Sequence, residues 1–170
     1  QEPKATEFIS RIIVFIQQLI DKEQAYETTD GVYFSVRKLG EKYGKLSNQK
    51  PDQMMEQQIA AETGKGKVDP LDFALWKRSK DGEPFWESPW GRGRPGWHIE
   101  CSVMASEVLG ENMDIHGGGC DLKFPHHDNE LAQAEAYWGH HQWVNFFFHC
   151  GHLHIQGLKM SKSLKNFITI

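Results

Sequence analysis

Apolar residues recur at helical spacing near the start of the chain. Between residues 6 and 24 they fall every three or four positions, at Phe8, Ile9, Ile12, Ile13, Ile16, Leu19 and Ile20. This period predicts an amphipathic helix that packs against a core, with Thr6 placed to cap its first turn.

Two short apolar runs follow this helix and predict a β-hairpin. They span residues 25–28 and 32–36, and the pair Asp30 and Gly31 between them favours a turn. Residues 41–67 are polar and rich in Gln, Lys and Gly, which predicts a loop or a short surface helix.

The second half of the chain alternates between short extended and helical patterns. Residues 69–77 predict a short packed element, and residues 88–96 predict a loop rich in Gly and Pro. Helices are predicted at 97–109 and at 125–138, where Pro125 suits the first helical position. Strands are predicted at 113–116, just before Gly117, Gly118 and Gly119, and at 143–150, whose Phe146, Phe147 and Phe148 are expected in the core.

The order strand, glycine turn, helix, strand is typical of a parallel α/β sheet. Ligands of such sheets bind beyond the carboxyl ends of the strands. The glycine run and the lysine-containing segment near residue 160 would both lie at that edge. The pattern therefore predicts an α/β fold with its ligand site in the second half of the chain.

Composition narrows the class of protein. With 170 residues, of which 39% are hydrophobic and 25% charged, the chain can form one domain with a core. The net charge of -4 argues against nucleic-acid binding over the whole surface, and the longest apolar run, residues 12–16, is too short to span a membrane. The polar N-terminus predicts no secretory signal, and three cysteines without disulfide-type spacing favour a reducing compartment and a metal or thiol role.

The segment KMSKS at residues 159–163 predicts a loop that contacts a polyphosphate. The ammonium groups of Lys159 and Lys162 can each bond phosphate oxygens, and the neighbouring hydroxyls add donors. A solvated basic loop is the simpler interpretation of most lysine pairs, but the order of these five residues favours the phosphate.

A second group of residues predicts a metal site. His126 and Glu130 are four apart and share one helical face, and Cys101 on the preceding helix is the natural third ligand. Thiolate, imidazole and carboxylate suit Zn²⁺. On spacing alone a solvated helix face and a buried apolar cysteine are equally compatible with these residues. A tetrahedral site needs a fourth ligand, for which Cys120, Cys150, His127 or sequence outside this chain are candidates.

Other residues allow two interpretations each. The glycines at 117–119 could let a ligand approach the backbone or simply make a tight turn, and His116 before them and Asp121 after them favour the ligand. Trp97 could be a core anchor or the wall of a pocket, and from spacing alone the core is favoured.

Three stretches together resemble the cysteinyl-tRNA synthetases, which are class I aminoacyl-tRNA synthetases. They are GRPGWHIECS at 93–102, MDIHGGGCDLKFPHHDNELAQAEAY at 113–137 and KMSKSLKNF at 159–167. The resemblance implies an α/β fold, the second half of a class I Rossmann-like nucleotide-binding catalytic domain with an inserted α+β subdomain. Residues 1–68 would form the insertion (connective) subdomain, and residues 69–170 the half of the catalytic domain that includes the KMSKS loop.

The resemblance also implies a reaction, in which cysteine and ATP give cysteinyl-adenylate and the cysteinyl group passes to tRNA(Cys). ATP is then a substrate, accompanied by Mg²⁺, and Zn²⁺ recognises the thiolate. No membrane is involved, and the parent enzyme is expected in the cytoplasm, with an organellar form also compatible.

Roles follow from the matched positions. They are catalysis for Lys159 and Lys162, ATP or adenylate binding for Gly117, Gly118, Gly119, Asp121 and Lys162, cysteine binding for Trp97, His116 and Asp121, and metal binding for Cys101, His126 and Glu130.

The chain also departs from the family pattern. The HIGH sequence, the first zinc cysteine and the region after the KMSKS loop have no counterpart here, so we expect a fragment that is inactive alone. Two rival functions stay open, a ligase that joins cysteine to an amino sugar and a non-catalytic zinc-binding module. Retention of both lysines, the glycine run and Asp121 argues against the module, because a structural zinc site needs none of them.

Overall fold

The structure, a computed structural model, describes residues 1–62, 64, 66–161 and 163–167. Its α-helices are α1 (Ile9–Asp21), α2 (Pro51–Ala61), α3 (Ile99–Leu109) and α4 (Asp128–Trp138). Its strands are β1 (Ala25–Thr28), β2 (Gly31–Phe34), β3 (Phe73–Arg78), β4 (Gly93–Pro95), β5 (Met113–Gly119), β6 (Val144–Cys150), β7 (His154–Ile155) and β8 (Leu158–Lys159). In this described part of the chain, no helix is long and apolar enough to cross a membrane.

Helix α1 packs on the main core, as its apolar period predicts. Ile12, Ile16 and Leu19 are fully buried on one face. The helix begins at Ile9 rather than at residue 6, because Ala5–Glu7 forms a separate 3-10 turn. The predicted Thr6 cap is therefore wrong, because Phe8 stands at the N-cap of α1 and its side chain makes no capping hydrogen bond.

Strands β1 to β4 form one antiparallel sheet in sequence order. The predicted hairpin is present as β1 and β2, and the predicted packed element at 69–77 is the strand β3. Pairing of Phe34 with Phe73 joins β2 to β3, so the sheet continues across residue 68. The side chains of Phe34, Phe73 and Trp76 are fully buried in the core that this sheet shares with α1. The subdomain division at residue 68 stays a prediction.

Strands β5 and β6 pair in parallel, with α4 between them in sequence. This is the predicted strand, helix, strand unit, and the α/β fold class is confirmed. The helix predicted at 97–109 begins at Ile99, and the one predicted at 125–138 begins at Asp128. A kinked wide turn, Lys123–His127, with extended backbone at Phe124, occupies the positions where the second helix was expected.

Phe146 and Phe148 of β6 are not core residues, contrary to the sequence-based expectation, whereas Phe147 packs against a smaller second core. Phe146 and Phe148 are 72% and 64% exposed, and Phe147 is half-buried. Successive strand residues point to opposite faces of the sheet. Phe147 faces the half-buried His116, whereas the face that carries Phe146 and Phe148 is left uncovered by the described residues.

The polar segment at 41–67 contains α2, so the surface-helix alternative is confirmed. Pro51 begins this helix, and most of its side chains are exposed. Met54 and Gln58 are its buried residues, and they turn it towards the rest of the protein.

Candidate metal centre and nucleotide edge

Cys101, His126 and Glu130 converge although three different elements carry them. Cys101 lies in the first turn of α3, His126 in the wide turn, and Glu130 in the first turn of α4. One ligand atom from each residue lies within 4.8 Å of the other two. His126 and Glu130 are buried and Cys101 is partly exposed. Packing of α3 against α4 brings together residues that are up to 29 positions apart in sequence.

The contact between Glu130 and His126 fits a shared metal ion better than a hydrogen bond. Glu130 Oε1 and His126 Nε2 are 2.7 Å apart, but the pair does not meet the geometry of a hydrogen bond. Glu130 Oε1 is buried and has no hydrogen-bond partner among the described residues. An imidazole nitrogen and a carboxylate oxygen beside a thiol form a ligand set that Zn²⁺ accepts. The residues present therefore fit a metal ion.

The second carboxylate oxygen of Glu130 is held by His116, whose Nε2 lies 2.5 Å from Oε2. Burial alone would raise the pKa of Glu130, but the contacts with His116 and His126 outweigh it and lower the pKa to about 2. The carboxylate is therefore ionised across the physiological range, as a metal ligand must be.

The thiol of Cys101 is in the opposite state. Burial, with the nearby negative charges of Glu130 and Glu100, raises its pKa to about 12. Without a metal ion the thiol is protonated, so metal binding must release its proton.

His127 belongs to a second group that shares Glu130. Ligand atoms of His116, His127 and Glu130 also lie within 4.8 Å of one another, which places the candidate fourth ligand His127 beside the site. Another candidate, Cys120, groups instead with Asp121 and His152.

Two further histidines, which the sequence reasoning did not single out, contact the candidate ligands His126 and His127. His98 Nδ1 lies 2.9 Å from His126 Nδ1, and burial lowers the pKa of His98 to about 3. His149 Nε2 lies 2.9 Å from His127 Nδ1. All nine histidines follow residue 97, and that clustering was the only sequence signal for these contacts.

Trp97 lies at the edge of this network rather than in the core, so the core interpretation is wrong. Its side chain is 52% exposed, and its ring stacks on His126 with ring centroids 4.7 Å apart. An aromatic face beside a metal ligand is suitable as one wall of a small pocket.

The glycine run forms the carboxyl end of β5. A Cβ on Gly118 would lie 2.7 Å from the His127 ring, so the glycine is needed for that ring to sit against the strand. A Cβ on Gly119 would lie 2.5 Å from Asp121 Oδ1, whereas one on Gly117 would meet no close neighbour. Gly118 and Gly119 are therefore closely packed, whereas the backbone at Gly117 is open to a ligand.

The lysine segment reaches the same edge. It begins at the end of the hairpin of β7 and β8, and Lys159 Nζ lies 3.4 Å from Asp121 Oδ2. Asn166 fixes the local backbone by accepting the Ser161 N–H at 2.9 Å and donating to the Lys159 carbonyl at 3.1 Å. The other predicted lysine, Lys162, lies outside the described residues.

Comparisons with known proteins show which family the chain is similar to. The family model for the catalytic domain of class I (C) tRNA synthetases matches residues 1–170. The chain is 58% identical over 168 residues to a cysteine–tRNA ligase of Pyrococcus horikoshii, covering 99% of this chain and 35% of that protein. It is 54% identical over 179 residues to a cytoplasmic cysteine–tRNA ligase of Dictyostelium discoideum, covering 98% of this chain and 26% of that protein.

A cytoplasmic cysteine–tRNA ligase of Xenopus laevis is 52% identical over 178 residues, covering 98% of this chain and 24% of that protein. The chain thus spans about a third or less of the length of these relatives. The match to the family model extends over every residue, including the candidate metal ligands and the lysine segment. The chain belongs to the family of class I (C) tRNA synthetase catalytic domains.

Proposed function

We propose that this chain is part of an enzyme that activates cysteine with ATP and transfers the cysteinyl group to tRNA(Cys). The convergence of Cys101, His126 and Glu130 carries the proposal, because it offers a metal ion to a thiol substrate. The names of the relatives, which are cysteine–tRNA ligases, support the same reaction. Such an enzyme is expected to act in the cytoplasm.

The metal ion that these three residues would hold would select the substrate. When bound, Zn²⁺ would take the cysteine thiolate as an additional ligand and would hold the neutral hydroxyl of serine poorly. A preference of about 10⁴ corresponds to about 5.5 kcal/mol, which one metal–thiolate bond can supply without an editing site. Trp97 and His116 would line the space beside the ligands, since each contacts one of them.

The carboxyl end of β5 would hold the nucleotide. The open backbone at Gly117 allows close approach, and Asp121 is exposed at the end of the strand for the amino group of cysteine or the adenylate ribose. Lys159 is half-exposed beside Asp121, and it can turn from this carboxylate to phosphate oxygens when ATP and Mg²⁺ bind. Together with Lys162 it would stabilise the charge that develops during adenylate formation.

Metal analysis tests the proposal directly. We expect about one zinc per protein after purification, and its loss in a Cys101→Ser variant that keeps the far-UV circular dichroism spectrum of the parent. Cysteine added to a Co²⁺-loaded sample should change the absorption spectrum, whereas serine should not. An unchanged zinc content in the variant would refute the assignment of the ligands.

Cysteine-dependent exchange between ATP and pyrophosphate tests the reaction. In the whole enzyme, of which this chain is proposed to be a part, a Lys159→Ala substitution should lower the exchange rate about 10²-fold while the zinc content stays the same, because the lysine acts only on the phosphates. Unchanged exchange in that variant would exclude the proposed role of Lys159.

A further inference from the structure

The start of α4 is attached to residues 43–58, which we name the clamp segment. Asp128 accepts two backbone hydrogen bonds from this segment, with Oδ1 3.0 Å from the Leu46 nitrogen and Oδ2 3.0 Å from the Ser47 nitrogen. The Asp128 carboxylate is buried, and both of its oxygens are used in holding the segment. The attachment is therefore specific to an acidic side chain at this position.

The next residue makes the second attachment. The hydroxyl of Tyr43 donates to Asn129 Oδ1 at 2.6 Å, and Asn129 Nδ2 donates to Gln58 Oε1 at 3.2 Å. Asn129 and Gln58 have no exposed surface, and Tyr43 is buried as well. A buried amide whose donor and acceptor are both engaged permits little rotation of its backbone.

These two residues lie between two of the candidate metal ligands. The side chains of Asp128 and Asn129 bond to the clamp segment, whereas those of His126 and Glu130 contact each other, with Nε2 and Oε1 2.7 Å apart. The clamp segment thus holds the two residues that directly precede Glu130 and follow the histidine pair. A rotation of that helix start would move both His126 and Glu130 away from Cys101.

We propose that Asp128 and Asn129 are positioning residues. Their bonds to the clamp segment fix the rotation of the helix start so that His126 and Glu130 meet Cys101 at one metal ion. This inference rests on the metal site of the proposed function, and it makes metal affinity depend on a segment whose hydrogen bonds reach Asp128 and Asn129 rather than the three ligands.

The same segment has a third attachment, which serves as a control. Lys45 Nζ lies 2.6 Å from Glu135 Oε1, and the Trp143 N–H also donates to that carboxylate, at 3.2 Å. Glu135 is five residues beyond Glu130, so weakening this contact loosens the segment without acting on the turn that carries the ligands.

The test compares the parent protein with Asp128→Asn, Tyr43→Phe and Glu135→Gln variants. Zinc affinity is measured by competition with a chromophoric chelator, and the Co²⁺ spectrum reports thiolate coordination. We expect Asp128→Asn and Tyr43→Phe to lower zinc affinity by about tenfold and to change the Co²⁺ spectrum, as disturbed support of a metal ligand does. Glu135→Gln should stay within about twofold of the parent. Thermal unfolding without metal shows that each variant is folded at the assay temperature.

The outcomes separate the two proposals. Parental zinc affinity in both Asp128→Asn and Tyr43→Phe would overturn the positioning role and leave the metal site intact. An equal loss of zinc affinity in Glu135→Gln would also overturn it, because any loosening of the clamp segment would then be enough to weaken zinc binding. If the parent protein binds no metal through Cys101, the metal site itself fails, and the clamp proposal fails with it. Should Asp128→Asn not fold, Tyr43→Phe, which removes a single hydroxyl, decides the question.

Discussion

Acid should destabilise the metal-free protein through His98. This ring is buried against His126 and packs edge-on against Phe73, with ring centroids 5.7 Å apart. Burial lowers its pKa from 6.5 to about 3. Since the folded state resists the proton that the unfolded state accepts, this contribution to stability is complete above about pH 6.5 and is lost as the pH falls towards about 3.

The size of the effect follows from the two pKa values. Between about pH 7.5 and about pH 5.5 the unfolded chain takes up nearly one proton at His98 and the folded chain almost none. One pKa unit corresponds to about 1.4 kcal/mol, so the free energy of unfolding should fall by about 1.4 kcal/mol over this interval from His98 alone.

Denaturant unfolding with a chelator present, at both pH values, measures this loss. A His98→Gln variant should show a smaller fall than the parent, by about 1.4 kcal/mol, while His141→Gln, which changes an exposed histidine, controls for the removal of a histidine as such. An equal fall in parent and His98→Gln would refute the reasoning. If that variant does not fold, NMR titration of the parent decides, because the His98 ring must remain neutral at about pH 5.

Three further outcomes test packing and thiol chemistry. Trp76→Ala should lower the free energy of unfolding by about 3–5 kcal/mol, because the side chain is fully buried. Trp97 is half-exposed, so Trp97→Ala should lower it by less than about 1 kcal/mol in the same denaturant titration. Gly96→Ala should cost about 1–3 kcal/mol or more, since its Cβ would overlap the Ala74 carbonyl oxygen, and a thermal unfolding temperature equal to that of the parent would contradict this contact. In the metal-free protein a thiol reagent should modify Cys101 at least about tenfold more slowly than the two exposed cysteines, by mass spectrometry, and equal rates would contradict its raised pKa.

Local patterns predicted much of the fold. The apolar period gave α1, and the hairpin and the parallel pair followed from short apolar runs and glycine turns. The boundaries of α4 could not be predicted, because the wide turn before it depends on packing of Phe124 and His127 inside the protein. Phe146 and Phe148 were misplaced for a related reason, since an apolar strand pattern does not say which faces are covered.

The candidate site was predicted only as far as residue spacing and family resemblance extend. His126 and Glu130 follow from the four-residue helical spacing, but that spacing cannot show that Cys101 reaches them. The contact between His98 and His126 and the bonds from the clamp segment join residues 28 or more positions apart. Such contacts arise from tertiary packing, which a single sequence does not encode in any short pattern.

The face of the parallel pair that the described residues leave uncovered has a consequence for handling this chain. Ile115 and Phe146 are directly paired across the two strands, Phe148 follows two residues later, and the three side chains are 68%, 72% and 64% exposed. Each can contribute about 1.5–3 kcal/mol when it is removed from water. The hydrophobic effect weakens on cooling, so self-association through this face should diminish in the cold and increase on warming. Concentrated samples are therefore expected to remain soluble longest at low temperature. On warming, they should aggregate at temperatures below the one at which the protein unfolds.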